Sequence, residues 1–496
     1  MKKFLHSKAT PYLILFFACL IVLLRSPVAP FSYGVPWTDS SVFMYAAQQM
    51  IDGKLIYKEV FDHKGPTLYL LNIIGLKLFN GNWAGIWIIQ LLCYLITTTF
   101  LYKILRFFYN KRISLLAILT VLLYQGAIEF GGNICETWAL PFTSIALYIF
   151  TQYFVKQKRF SLVQLFLLSA SFILTLFLRP NLVALWGVFG LVVAFDLLQS
   201  KRWKEILSYS FFIIVFCLLS ILPFFLYAYS KGIIEDSIYA IFTFNIIYLS
   251  DTGIIQSVLD TILCTMETMR APMYVYLIIV FAYISYIVLC FKEVFHKKYA
   301  VAVVISIFVI AFSCSIGRPH IHYFVQLAPV LIFPMAACFA FLTKNFPKRK
   351  WTFAVFFFLI LNCSIICGTI YDVHSNYQKE KRYFYAGLSN LIAQHTTSSD
   401  KILVMGNDLA VYLFSNRESS SRYPFIYPII EKDKKIEEYY FAEFKNNPLP
   451  KLIIIDWHCN SFSNDLRSKL AKILQDNYED LEVQLNNRSY VIWKRN

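Results

Sequence analysis

Acidic residues are scarce in this chain. Its 496 residues include 30 Asp and Glu against 46 Lys and Arg, and charged residues of both signs make up only 15%. A soluble domain carries roughly a quarter charged residues and under half apolar ones, whereas here 58% are hydrophobic and 18% aromatic. A mean hydropathy of +0.56 leaves more apolar side chain than a soluble core could hide. The shortage of charge excludes an ordinary cytosolic enzyme, and the apolar excess excludes a disordered or collagenous chain. No Cys-x-x-Cys pair occurs, and most of the eleven cysteines stand singly in apolar runs, as Cys19, Cys93, Cys217, Cys264, Cys290 and Cys338 do. That pattern indicates buried packing rather than a metal site or a disulfide framework. The absence of internal repeats weighs against inverted-repeat transporters. The net charge of +16 sits in short clusters between apolar runs, not in one stripe, so no nucleic-acid partner is expected. The solvent of this protein is largely lipid.

A spanning helix needs about 20 mostly apolar residues. Eleven runs qualify: 11–29, 84–105, 113–129, 137–155, 161–178, 182–199, 207–229, 272–291, 299–316, 322–343 and 351–371. The first resembles a signal peptide, but Arg25, Pro27 and Pro30 follow it where a small-residue cleavage site would stand, so it is read as a retained span. Lys and Arg collect in one alternating set of loops, from Lys2–Lys3–Lys8 through Lys103/Arg106/Lys111/Arg112 to Lys344/Lys348/Arg349/Lys350. The rule that basic loops stay inside then places the N-terminus in the cytoplasm and, with an odd span count, the C-terminus outside. The expected architecture is a polytopic α-helical membrane domain, residues 1–371, and a small extracytoplasmic α/β domain, residues 372–496. In the latter, 401–406 and 451–456 read as buried strands and 489–493 as a last one, with helical patterns near 408–416, 431–446 and 462–476. The run 67–79 is too short to cross and reads as an interfacial or re-entrant helix.

The chemistry-bearing residues gather at the outer ends of these spans. Asp39 follows the first span in Trp37-Thr38-Asp39-Ser40-Ser41. There it is either an N-cap for a helix over 40–51 or a base acting on an acceptor hydroxyl. Asp62, His63 and Lys64 form a polar triplet before Gly65-Pro66. Lys64 at headgroup depth can meet a phosphate as a point charge, or simply snorkel. Glu136 opens a span at its outer end, a depth that matches Asp39, so the two carboxylates could hold an acceptor or a divalent cation between them; a helix-start carboxylate is the plainer account. Arg179 in Leu178-Arg179-Pro180 and Arg318 in Gly317-Arg318-Pro319-His320-Ile321-His322-Tyr323 also mark outer ends. Arginine offers a planar fork suited to phosphate. His320 and His322, at a spacing that faces opposite ways on a regular element, suit headgroup or phosphate hydrogen bonding better than a metal. Nothing in the outer domain reads as a nucleophile elbow, a P-loop or a zinc spacing.

The run DSSVFMYAAQQMIDGKLIYKEVFDHKGP, followed after two spans by NICETWALPF, resembles the polytopic GT-C glycosyltransferases, and among them the bacterial members related to protein mannosyltransferases and the aminoarabinose transferase. The resemblance implies a multi-span domain with a catalytic acid in the first outer loop (30–82) and a polyprenyl-phosphate sugar as donor. It places Asp39 on the catalytic Asp and Glu136 on a second carboxylate of close bacterial relatives. It departs at residue 40, a Ser where some relatives carry a tandem Glu, and it matches Lys64 and Arg318 to phosphate partners only in general position. The implied function is sugar transfer, inverting at the anomeric carbon, to an extracytoplasmic wall polymer such as teichoic acid, a surface polysaccharide, a glycolipid or a protein. Usage rich in Lys, Ile, Phe and Asn points to an AT-rich bacterial genome, and so toward a wall polymer. The competing expectation is a transporter or flippase of lipid-linked sugars, which should carry polar groups at mid-membrane.

Overall fold

The computed structural model describes residues 7–32, 34–129, 131–157, 159–249, 255–260, 263, 286, 297–316, 320–345, 351–352, 354–359, 362, 377–446, 448–481 and 490–496. Among these, seven helices are long and apolar enough to cross a membrane: Ala84–Leu105, Lys111–Ile128, Cys135–Lys156, Pro180–Gln199, Trp203–Ser230, Lys297–Ser315 and Ile321–Lys344. Two further expected spans appear as shorter apolar helices, Thr10–Leu23 and Leu162–Leu176. The expected spans 272–291 and 351–371 lie largely outside the described residues, as does the expected domain boundary at 371/372. The protein is a multi-pass membrane protein.

Local sequence sets several helix starts. Asn110 accepts hydrogen bonds from the backbone N–H groups of Arg112 and Ile113, and Ser161 and Gln164 form a reciprocal capping box. Trp203–Ser230 leaves only 6% of its apolar window buried, with Leu207 and Phe211 turned outward. A helix that apolar and that exposed faces lipid.

The first outer loop folds into two helices, Thr38–Ile51 and Pro66–Leu78. The second begins with Pro66, whose missing N–H costs nothing in a first turn. The expected short helix at 67–79 is therefore present, one residue earlier. The C-terminal region forms a four-stranded sheet in the order β1 (Ile402–Met405), β2 (Leu452–Ile455), β4 (Val491–Arg495), β3 (Tyr478–Asp480). β1 and β2 run parallel with Ile402 opposite Leu452, while β2–β4 and β3–β4 are antiparallel. The parallel pair is buried, as expected of strands written as continuous apolar runs. β3 and the helix Tyr377–His395 carry weaker apolar patterns, which a sequence reading passes over.

This sheet domain packs directly on the first outer loop. The rings of Tyr45 and Tyr412 stack at 4.8 Å, and the Ser419 N–H donates to Tyr45 Oη at 2.7 Å. Phe61 N–H donates to the Arg422 carbonyl at 2.9 Å, and Lys54 pairs with Glu418 at 2.7 Å. One hydrophobic core runs continuously from Val42 and Phe61 to Val404 and Ile453. Loop and sheet domain thus form one body above the spans.

Candidate functional site

A cavity of about 490 Å³ lies where one end of the spans, the loop after the first span and the sheet domain meet. Asp39, Asp62, His63, Lys64, Arg179, His320, His322 and Tyr323 all line it. Eight sequence-predicted residues from four separated segments therefore share one space. Arg318 lies outside the described residues.

Asp39 sits in the first turn of Thr38–Ile51, with 41% of its side chain exposed. The cap position belongs to Trp37, and no side-chain cap hydrogen bond is made there. The N-cap account of Asp39 is thereby corrected: the helix starts two residues earlier than expected because Ser41 Oγ turns back onto the Thr38 carbonyl at 2.6 Å and closes the first turn. The carboxylate faces the cavity, with His322 Nε2 3.9 Å away.

Gly65 brings the polar triplet to the same place. Its backbone lies against Phe177 so closely that a Cβ would sit 2.1 Å from the Phe177 carbonyl oxygen. Only glycine permits that approach, which sets residues 62–64 beside Arg179. Asp62 is buried and accepts from Tyr69 Oη at 2.8 Å and from the His63 N–H at 2.7 Å. Burial raises the Asp62 carboxyl above the ordinary carboxylate range, while Lys64 and Tyr69 pull the other way. Burial also drives His63 well below its ordinary value, with Lys64 and Arg179 adding to the effect. The uncharged ring accepts from Lys64 Nζ through Nε2, and its Nδ1 lies 3.4 Å from Asp62. Asp62 thus holds the His63 backbone, the His63 ring holds Lys64 Nζ, and Lys64 lines the cavity.

Glu136 departs from expectation. It is buried, and Arg179 donates to its Oε1 at 3.0 Å. It does not line the cavity. The cation that Glu136 meets is the Arg179 side chain, while Asp39 lines the cavity. Among the described residues no group of three or more His, Cys, Asp and Glu side chains stands close enough to hold a metal ion. Arg179 in turn lies 4.1 Å over the Tyr323 ring, held between a carboxylate and an aromatic face.

The spacing of His320 and His322 predicts rings that face opposite ways. Instead the two rings stack at 5.4 Å. His320 is the cap residue of the 3₁₀ helix Ile321–Leu327 and has extended backbone angles, so the two residues do not share one regular element.

Asn133, in the second motif, carries no role that the sequence reveals. Its side chain donates to Ser40 Oγ at 2.8 Å and to Asn72 Oδ1 at 3.0 Å, and accepts from Trp138 Nε1 at 3.0 Å. It ties three helices together directly behind Asp39. Asn245, Tyr248, Asn407, Tyr427, Trp457 and His458 also line the cavity and escape the sequence reading. Asn407 and Trp457 have a readable signal, since each follows a buried strand pattern by one or two residues, where α/β sheets bind ligands. Asn245, whose side chain donates to the His63 carbonyl at 2.8 Å, has none.

A family described as "Putative competence-induced protein Ccs4 N-terminal domain" matches residues 2–339. The chain belongs to this family. Over its whole length the Ccs4-family chain is similar in fold to ArnT from Cupriavidus metallidurans bound to undecaprenyl phosphate, with a TM-score of 0.66, 12% identity and 98% of each chain covered. It is similar also to the archaeal oligosaccharyltransferase AglB from Archaeoglobus fulgidus in complex with an inhibitory peptide and a dolichol-phosphate, with a TM-score of 0.53 and 11% identity, covering 99% of this chain and 75% of that one. A search of the curated proteins finds no match. At these identities the likeness is one of fold, and the fold is the polytopic GT-C type implied by the motif resemblance.

Proposed function

We propose that this Ccs4-family protein is a membrane glycosyltransferase that moves a sugar from a polyprenyl-phosphate donor to an extracytoplasmic acceptor. The observation that carries the reading is the cavity itself, where one exposed carboxylate, Asp39, shares a wall with the Lys64 ammonium and the Arg179 guanidinium. That is the charge pattern a displacement from a lipid phosphate needs. Support also comes from the two fold relatives, one bound to undecaprenyl phosphate and the other to a dolichol-phosphate.

In this reading Asp39 takes the proton of an acceptor hydroxyl. The oxygen forms a bond to the anomeric carbon as the bond from that carbon to the phosphate oxygen breaks, with inversion. The polyprenyl phosphate leaves with the electron pair, and Lys64 and Arg179 meet the charge that develops on it. His322 Nε2 stands 3.9 Å from the Asp39 carboxylate. Glu136 acts through Arg179, as a positioning residue. The N-terminus is cytoplasmic and the sheet domain extracytoplasmic, on the side where a flipped lipid-linked sugar is available. A transporter of lipid-linked sugars is the competing reading. The gathering of charged groups at the outer ends of the spans favours transfer.

The test is binding of undecaprenyl phosphate to the purified full chain. Saturable binding, weakened about tenfold or more by Lys64→Ala, is the expected result for loss of one charge-assisted contact. No saturable binding, or binding indifferent to Lys64, would refute the donor assignment.

A further inference from the structure

The sheet domain enters the cavity along one edge. Gly406 follows β1 and Asp456 follows β2, so Asn407 and Trp457 leave from the carboxyl ends of adjacent parallel strands. In open α/β sheets that edge forms the ligand crevice. The cavity is lined there by Asn407, Phe425, Tyr427, Pro428, Trp457 and His458.

The chemistry of this wall differs from that of the wall beneath it. Among the described residues it holds no carboxylate, lysine or arginine, whereas Asp39, Asp62, Lys64 and Arg179 all come from the membrane domain. Asp456 lies just behind the wall and is fully engaged. Its carboxylate accepts the N–H groups of Asn407 and His458, each at 2.8 Å, and His458 Nδ1 lies 3.0 Å away. The loop is therefore braced before any ligand arrives. Trp457 stacks on His458 at 3.9 Å with the planes 26° apart, and the His458 ring lies 5.3 Å from that of Tyr427. The outermost ring of this stack, Trp457, is 57% exposed. Asn407 Oδ1 is buried and has no hydrogen-bond partner. A buried acceptor without a donor is costly unless something supplies one.

We propose that this wall is the acceptor site and that the acceptor is a carbohydrate where it touches the protein. The proposal rests on the transferase reading given above. A sugar ring offers C–H groups on one face, which suit the negative face of Trp457, and hydroxyl donors at its rim, which suit Asn407 Oδ1. A basic peptide would call for carboxylates on this wall, and a polyanion for cations. The described wall has neither, and the cations of the cavity are placed for the leaving phosphate. The hydroxyl that gives its proton to Asp39 then belongs to a saccharide held by its ring on Trp457.

The experiment probes the purified full chain against an array of neutral and phosphate-bearing oligosaccharides, with undecaprenyl phosphate binding measured on the same preparations. Wild type should be retained by neutral saccharides. Trp457→Ala and Asn407→Ala should each weaken that binding about tenfold, and Trp457→Phe, which keeps a ring face, by about threefold or less. Affinity for undecaprenyl phosphate should stay within about twofold throughout, since neither side chain meets the phosphate. Retention by phosphate-bearing saccharides alone, no retention at all, or retention that ignores both substitutions overturns the proposal. Saccharide binding with the expected sensitivities but without undecaprenyl phosphate binding supports this site and refutes the donor reading instead.

Discussion

Arg179 and Glu136 stand 43 residues apart in the chain and meet at 3.0 Å, with only 12% and 2% of their side chains exposed. The pair joins the end of one helix to the start of another, and it fixes a guanidinium at the cavity wall. Breaking a buried pair from one side leaves an uncompensated charge and costs about 3–5 kcal/mol. Arg179→Ala should therefore lower the melting temperature sharply, and Arg179→Ala combined with Glu136→Leu should recover much of the loss. Equal melting temperatures for the single and double variants would show that the ion pair is not what holds these helix ends.

Asp39→Asn should abolish transfer while sparing the fold. The helix is not capped by Asp39, so stability has little to lose. A base cannot be replaced by an amide, and its loss typically removes about 10²–10⁴-fold in rate. The measurement is turnover of an undecaprenyl-phosphate hexose with thermal melting alongside. Near-normal turnover would remove Asp39 from the chemistry.

Gly406 has a φ of +133°, and a Cβ there would lie 2.0 Å from Asp456 Oδ1. Gly406→Ala must strain the backbone and displace the carboxylate that braces the 407 and 458 loops. A loss of about 1–3 kcal/mol is expected from the strain alone. Limited proteolysis of the sheet domain reads this directly, and an unchanged cleavage rate would contradict the brace.

Asp408 supplies a pH test. It is half-buried and accepts from Tyr385 and Tyr490, and loss of solvent around it raises its carboxyl above the ordinary 3.8. The folded state then holds this proton to a higher pH than the unfolded state. Its contribution to stability is fully present below pH 3.8 and is lost as pH rises through the raised folded value. Asp408→Asn should flatten that part of the stability–pH curve. An unaltered curve would mean that Asp408 does not titrate differently on folding.

Orientation is checked by protease added to intact spheroplasts. The region from about residue 377, which opens the helix Tyr377–His395, should be cleaved without lysis. Cleavage only after lysis would place the sheet domain, and with it the cavity, on the cytoplasmic side.

Much is written locally. Apolar runs of spanning length, the short helix after Gly65-Pro66 and the strands 402–405 and 452–455 depend on hydropathy and period, which a sequence displays directly. Asp39, Lys64 and Arg179 stand out in the sequence as ionisable groups beside apolar runs, and all three line the cavity. What the tertiary structure decided was company. Glu136 and Asp39 look alike in sequence, each a carboxylate opening an outer helix. Only packing sets Arg179 against the first and leaves the second facing the cavity. The same holds for the sheet domain, whose strands can be read but not their docking on Tyr45 and Phe61. Contacts between segments hundreds of residues apart follow from the shapes of folded surfaces, and no local pattern carries that information.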